Sequence, residues 1–166
     1  MRRARDNRSM GTHERFMLVA IEEARRALVL GEVPIGAVLV VGDRVVARGC
    51  NEPISTTDPT AHAEMQVLRA GARATGNYRL SDAVVYVTVE PCVMCVGALV
   101  HARVRAVVYG TVEPKTGALV STVRALELPG VNHQFEVHDG VCADQCRELI
   151  QTFFQQRRQH VAVTGM

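Results

Sequence analysis

The sequence predicts an α/β protein of three layers, α/β/α, with a mixed sheet of about five strands flanked by helices. Three observations predict it. Amphipathic stretches alternate with short β-branched runs, the pattern of helices packed on a sheet. Two of the runs, IGAVLVV and RVVARGC, flank Gly42-Asp43, a pair suited to a tight hairpin and so to antiparallel strands. The runs AVVYVTV and VRAVVYG are apolar almost throughout, as strands covered on both faces are.

In chain order, Thr12 is expected to cap a helix over 13–30, with Met17, Ala20, Ile21, Ala24 and Leu28 on one face and Gly31 as its stop. The hairpin follows, and NEPISTTDPT is turn chemistry leading to Thr60 as the cap of a second helix over 61–74. His62 and Glu64 then fall in its first turn. AVVYVTV ends at Glu90-Pro91, and because proline suits the first position of a helix, Cys92 and Cys95 open a third. After VRAVVYG come the loop TVEPKTGA, a last strand at QFEVH and a final helix over 142–159 that turns Cys146, Leu149, Ile150, Phe153 and Phe154 inward. The organisation expected is one domain over 13–159 between a flexible tail at 1–12 and a second tail at 160–166.

Composition narrows the class. At 166 residues the chain is long enough for one closed core. Glu32, Asp43 and Arg44 interrupt the most apolar stretch, Val29 to Val46, so no membrane span is expected. Five cysteines, an odd number at irregular spacings, point to reduced thiols and a cytoplasmic setting. A net charge of +2 does not by itself announce a nucleic-acid binder, so any RNA contact must be local. Arginines cluster at Arg2, Arg3, Arg5 and Arg8 and again at Arg157 and Arg158, and Lys115 is the only lysine. Solvated chain ends are an equal reading of the first cluster.

The chemistry sits in His62-Ala63-Glu64 and Pro91-Cys92-Val93-Met94-Cys95. Separately they are ambiguous, since Cys-x-x-Cys at a helix start is also a redox motif and a lone histidine near a helix end is commonly structural. Together they meet a demanding geometry. Tetrahedral zinc on two thiolates needs sulfurs roughly 3.7 Å apart, which residues three apart on a helical turn can supply. His62 adds a third ligand, and three protein ligands leave the fourth position open, as in catalytic sites. Zinc there can lower the pKa of a bound water to about 7. Glu64, two residues from His62, is turned away from the ligand stripe and is placed to move a proton between water and substrate. The alternative, an acid that merely favours the helix N-terminus, does not explain its coincidence with the trio. Cys142 and Cys146 with His138 have helical spacing too, but Leu149 and Phe153 continue their stripe, so they read as core, as does Cys50.

His-x-Glu followed by Pro-Cys-x-x-Cys resembles the signature of the zinc-dependent nucleobase deaminases. EVPIGAVLV, DPTAHAE, NYRL, VTVEPCVMCVGALVHARV, KTGA, PGVNH and FFQQRRQ resemble more closely the bacterial tRNA-specific adenosine deaminases, over residues 13–159. The resemblance implies a cytidine-deaminase-like fold, one zinc per subunit, a homodimer, and action on the wobble adenosine in the anticodon stem-loop of an arginine tRNA. It also implies roles by position. Asn51 would bond the flipped base or its ribose, Val33 and Pro34 would wall the pocket, and the backbone N–H of Ala63 would read the purine edge. Glu113, Lys115 and Asn132 would border the RNA, and Phe153, Phe154, Arg157 and Arg158 would shape and charge the helix that holds the stem-loop. Glu113 stands where aspartate is usual in the family, and Gln155-Gln156 where basic residues are common.

Two rival functions remain at this level. A deaminase of free cytidine, deoxycytidylate or guanine keeps the chemistry, and FFQQRRQ and the KTGA loop speak against it. A noncatalytic zinc-bound RNA-binding subunit keeps the scaffold, and Glu64 speaks against that, since a structural metal site needs no proton carrier.

Overall fold

The computed structural model describes the backbone of residues 7–165 and the side chains of 11–165; Arg2, Arg3, Arg5 and the side chain of Arg8 lie outside the described residues. The elements are α1 (Asn7–Val29), β1 (Gly36–Val41), β2 (Arg44–Cys50), the short α2 (Pro53–Thr56), α3 (Ala63–Thr75), β3 (Ala83–Val89), α4 (Val93–His101), β4 (Ala106–Thr111), β5 (Glu136–His138) and α5 (Ala143–Val163). One 3₁₀ turn, Ala125–Glu127, interrupts the long connection from β4 to β5. Helix α1 starts at Asn7, within the expected tail, and α5 runs through 160–163, also expected as tail.

The sheet has five strands in the order β2-β1-β3-β4-β5. β1 is antiparallel to both neighbours, whereas β3, β4 and β5 run parallel, so the sheet is mixed as expected. The first pair is antiparallel because only two residues join it. Gly42 takes φ 62° there and Asp43 does not have a positive φ, the sign pattern of a type II′ turn, which glycine alone adopts without strain.

Alternation along the strands divides the layers. Leu39, Val85, Val87, Val107 and Tyr109 face one core cluster with Val67 and Leu68 of α3 and Val96 and Leu99 of α4. The intervening residues Val38, Val40, Val84, Tyr86 and Val108 face a second cluster with Met17 and Ile21 of α1 and Cys146 of α5. Period-two alternation thus builds both helix layers from one sheet. β3, buried along its whole length, is the central strand. The helix pair α3 and α4 lies on one face of the sheet, and each of the two begins at one of the His-x-Glu and Cys-x-x-Cys motifs, which sets the site. All five cysteines are free thiols. No helix among the described residues is long and apolar enough to cross a membrane.

Candidate metal centre and substrate cavity

The loop between β2 and α3 places His62. Pro53 opens α2, and Asp58 accepts from both the N–H and the hydroxyl of Thr60, at 2.8 and 2.7 Å. That local turn takes Thr60 out of the capping role expected for it, and the cap of α3 is His62, with extended backbone at φ −72° and ψ 155°. Buried Glu32 secures the loop from below by accepting the N–H and hydroxyl of Ser55. Cys92 has the matching position on α4: it is the cap residue, at φ −76° and ψ 173°, with Cys95 buried in the first turn.

His62 Nδ1 lies 3.6 Å from Cys92 Sγ and 3.5 Å from Cys95 Sγ. Zinc–sulfur and zinc–nitrogen bonds of ~2.3 and ~2.05 Å at tetrahedral angles require an N···S separation of about 3.6 Å, so the donor set fits zinc. All three ligand atoms lie within 4.8 Å of one another, and among the described residues no other group of three His, Cys, Asp or Glu side chains does so. His138, Cys142 and Cys146 form no such group. Cys92 is lowered to about 4 by the hydrogen bond from the Cys95 thiol and by His62 beside it, while sharing that proton and burial push Cys95 up. A thiolate is therefore favoured at Cys92. Glu64, in the first turn of α3, stands outside the ligand group, is only 4 % exposed, and is pushed up to about 7 by burial.

Above the trio lies a cavity of about 220 Å³, lined by His62, Cys92 and Glu64 with Val33, Ile35, Asn51, Val89, Glu90, Glu113, Thr116, Ile150 and Phe154. Drug-sized ligands commonly occupy ~300–1,000 Å³, so this one suits a single ring system. It adjoins an outer groove of about 620 Å³ that shares Glu113, Thr116, Ile150 and Phe154 and adds Lys115, Gln151, Gln155 and Arg158.

Of the expected positions, Asn51, Val33, Glu113 and Phe154 line the cavity, and Lys115 and Arg158 line the groove. Others lie elsewhere. Pro34 is buried without lining the cavity, where Ile35 stands instead. The Ala63 N–H donates to Asn51 Oδ1 at 2.9 Å. Asn132 is exposed and lines neither space, and its carbonyl accepts from Arg103. Phe153 is buried, with the Arg157 guanidinium 5.0 Å from its ring centroid. The helical period explains this division of α5: Ile150, Phe154 and Arg158 form one stripe at i, i+4, i+8 that faces the cavity and groove, and Phe153 and Arg157 belong to another. Ile35, Val89, Glu90, Thr116 and Ile150 went unpredicted. Ile150 carried a signal in its spacing from Phe154, and the others in their place within EVPIGAVLV, VTVEPCVMCVGALVHARV and KTGA.

A His, Cys, Cys trio with a buried carboxylate at the floor of a cavity sized for one base, on this mixed sheet, defines a deaminase of the cytidine deaminase fold. The MafB19-like deaminase family model matches residues 11–158. The chain is 46% identical over 147 residues to the tRNA-specific adenosine deaminase of Haemophilus influenzae, covering 88% of this chain and 85% of that one. To the enzyme of the same name from Agrobacterium fabrum it is 43% identical, over 90% of this chain and 98% of the other. A solved structure from a study of A-to-I editing by tRNA:A34 deaminases superposes with a TM-score of 0.80 at 44% identity, covering 81% of this chain and 98% of that one. The chain belongs to the tRNA-specific adenosine deaminase family.

Proposed function

We propose that this chain hydrolyses the wobble adenosine of a tRNA, in the anticodon stem-loop of an arginine tRNA, to inosine. The observation that carries the reading is Glu64, a buried carboxylate beside the His62, Cys92 and Cys95 trio at the floor of a cavity sized for one base. One zinc per subunit, held by those three residues, would supply a Lewis acid that acidifies the attacking water. Glu64 accepts a proton from that water as its oxygen bonds to C6 of the ring, and hands the proton to ring nitrogen N1. As the C6–N6 bond breaks, Glu64 delivers the second water proton to the departing amine, and ammonia leaves. Water and adenosine thus balance inosine and ammonia. Asn51 and Phe154 hold the base in the cavity, Val33 walls it, Glu113 borders the ribose side, and Lys115 and Arg158 meet phosphates in the outer groove.

Family membership supports a homodimer in the cytoplasm as the working form. Incubation of the purified protein with adenosine-wobble arginine tRNA, followed by sequencing for inosine, tests the reading. Inosine at the wobble position is the expected result. Ammonia released from free cytidine, deoxycytidylate or guanine, with no inosine in the tRNA, overturns it in favour of a free-substrate deaminase.

A further inference from the structure

At the end of β3 the chain buries a carboxylate that neither metal binding nor proton transfer uses. Glu90 is 3 % exposed. Its Oε1 accepts the backbone N–H groups of Leu119, Val120 and Ser121 at 3.2, 2.7 and 2.9 Å. Its Oε2 accepts the N–H of Glu113 at 3.1 Å and the hydroxyl of Ser121. Five donors from one stretch, residues 113–121, converge on a single side chain. Bonds to an ionised acceptor are roughly twice as strong as neutral ones, so Glu90 is a strong anchor for this stretch.

The stretch is also tied directly to the metal loop. The Ala118 N–H donates to the Pro91 carbonyl at 2.8 Å, and Gly117 forms a β-bridge with Cys92. Gly117 runs so close beneath the carboxylate that a Cβ there would collide with it and with the Glu113 carbonyl. The same nine residues present Glu113 and Thr116 to the cavity and Lys115 to the outer groove.

We propose that Glu90 is a positioning residue: it clamps residues 113–121 to the Pro91-Cys92 loop and so fixes the wall that grips the RNA nucleotide over the metal centre. The clamp itself stands on the hydrogen bonds; what the wall grips rests on the RNA-deaminase reading above.

Glu90→Gln tests it. The amide has one oxygen and one NH2, so whichever way it turns, an NH2 group faces backbone N–H donors and part of the clamp is lost. In the zinc-loaded protein we expect one zinc per chain to be retained. KM for tRNA should rise on the order of tenfold or more, with kcat falling by a smaller factor. Amide hydrogen exchange at Leu119, Val120 and Ser121 should accelerate by a similar factor, which reads the clamp without any substrate. Ser121→Ala, which removes one donor of five and leaves the fold intact, should shift KM and exchange in the same direction by less. The proposal is overturned by unchanged exchange in Glu90→Gln, by an unchanged KM, or by loss of zinc, which would make Glu90 a support of the metal ligands instead. A wild-type protein inactive on tRNA removes the RNA-deaminase reading, and the exchange measurement still decides the clamp.

Discussion

Asn51 Oδ1 accepts the backbone N–H of Ala63 at 2.9 Å, in a buried setting, which joins the end of the first hairpin to the residue between His62 and Glu64. The bond orients the Asn51 amide, because only its oxygen can face an N–H donor. Its NH2 is thereby the group available to a base in the cavity that Asn51 lines. Two substitutions separate these halves. Asn51→Ala leaves a buried N–H without a partner, at a cost of about 1–3 kcal/mol, so melting should fall by roughly 2–10 °C and zinc should be held less tightly. Asn51→Asp keeps the acceptor and loses the donor, so zinc and melting temperature should be nearly maintained while turnover drops. Calorimetry with elemental analysis checks the pair; an alanine variant with normal melting and zinc would dissociate the bond from the metal loop.

One zinc per chain should be measured by elemental analysis, held by His62, Cys92 and Cys95. Replacing all three by alanine should abolish it. Cys142→Ala and Cys146→Ala should leave it unchanged, although Cys146 is buried against Gly110 and its loss should lower stability. Full zinc in the triple variant would move the metal elsewhere.

Glu64→Gln should keep the zinc and the fold and lose on the order of 10²–10⁴ in turnover, since the amide is close in size and cannot relay a proton. Single-turnover deamination of tRNA is the measurement. A variant that retained a sizeable fraction of the rate with normal zinc would need a different proton carrier.

These residues are legible in the sequence because their geometry is local: Cys92 and Cys95 are one turn apart, and His62 and Glu64 flank one residue. The layers are legible too, since strand alternation and helical period are short-range patterns. What escapes is set by tertiary partners. Thr60 reads as a helix cap until Asp58 captures its hydroxyl and N–H. Glu90 looks like an ordinary acid before a proline, because its five donors lie 23 to 31 residues further along the chain. Phe153 and Phe154 cannot share a face, and which one enters the cavity depends on the rotation of α5, fixed by its buried Cys146 against β4.

Acid should weaken the docking of α1 on the sheet. His13 bonds the Tyr86 hydroxyl at 2.9 Å, and its ring lies tilted with its centroid 5.1 Å from that of His138, which itself pairs with Glu136. Burial and then His138 lower the His13 pKa below the ordinary 6.5, with Glu136 opposing. The unfolded chain therefore binds more protons in that range, so this contribution is present above pH 6.5 and is lost as pH falls below it. Melting followed from about pH 7.5 to about 5.5 should show a decline that His13→Gln reduces. An equal decline in both proteins would assign the acid sensitivity to other groups.

The final prediction concerns how a protein of net charge +2 holds a polyanion. The cost of drawing one base out of a stacked loop, a few kcal/mol, has to be offset by interactions outside the cavity. Sequence alone makes Arg157 and Arg158 equivalent candidates, but the helix separates them. Arg158 shares the outer groove with Lys115, continuous with the cavity through Phe154 and Ile150. The Arg157 guanidinium sits over the buried ring of Phe153, on another stripe of α5. Deleting a side chain that neutralises one phosphate takes about one unit off the slope of log affinity against log salt. Arg158→Ala and Lys115→Ala should therefore each weaken binding of the anticodon stem-loop and flatten that slope by about one, with zinc unchanged. Arg157→Ala should leave the slope near the wild-type value and cost ~0.5–1 kcal/mol of stability, because the cation–π interaction with Phe153 disappears. Binding titrations at several salt concentrations separate the two. If Arg157→Ala flattened the slope and Arg158→Ala did not, the RNA would run along the other side of α5, and the outer groove would no longer be its path to the metal centre.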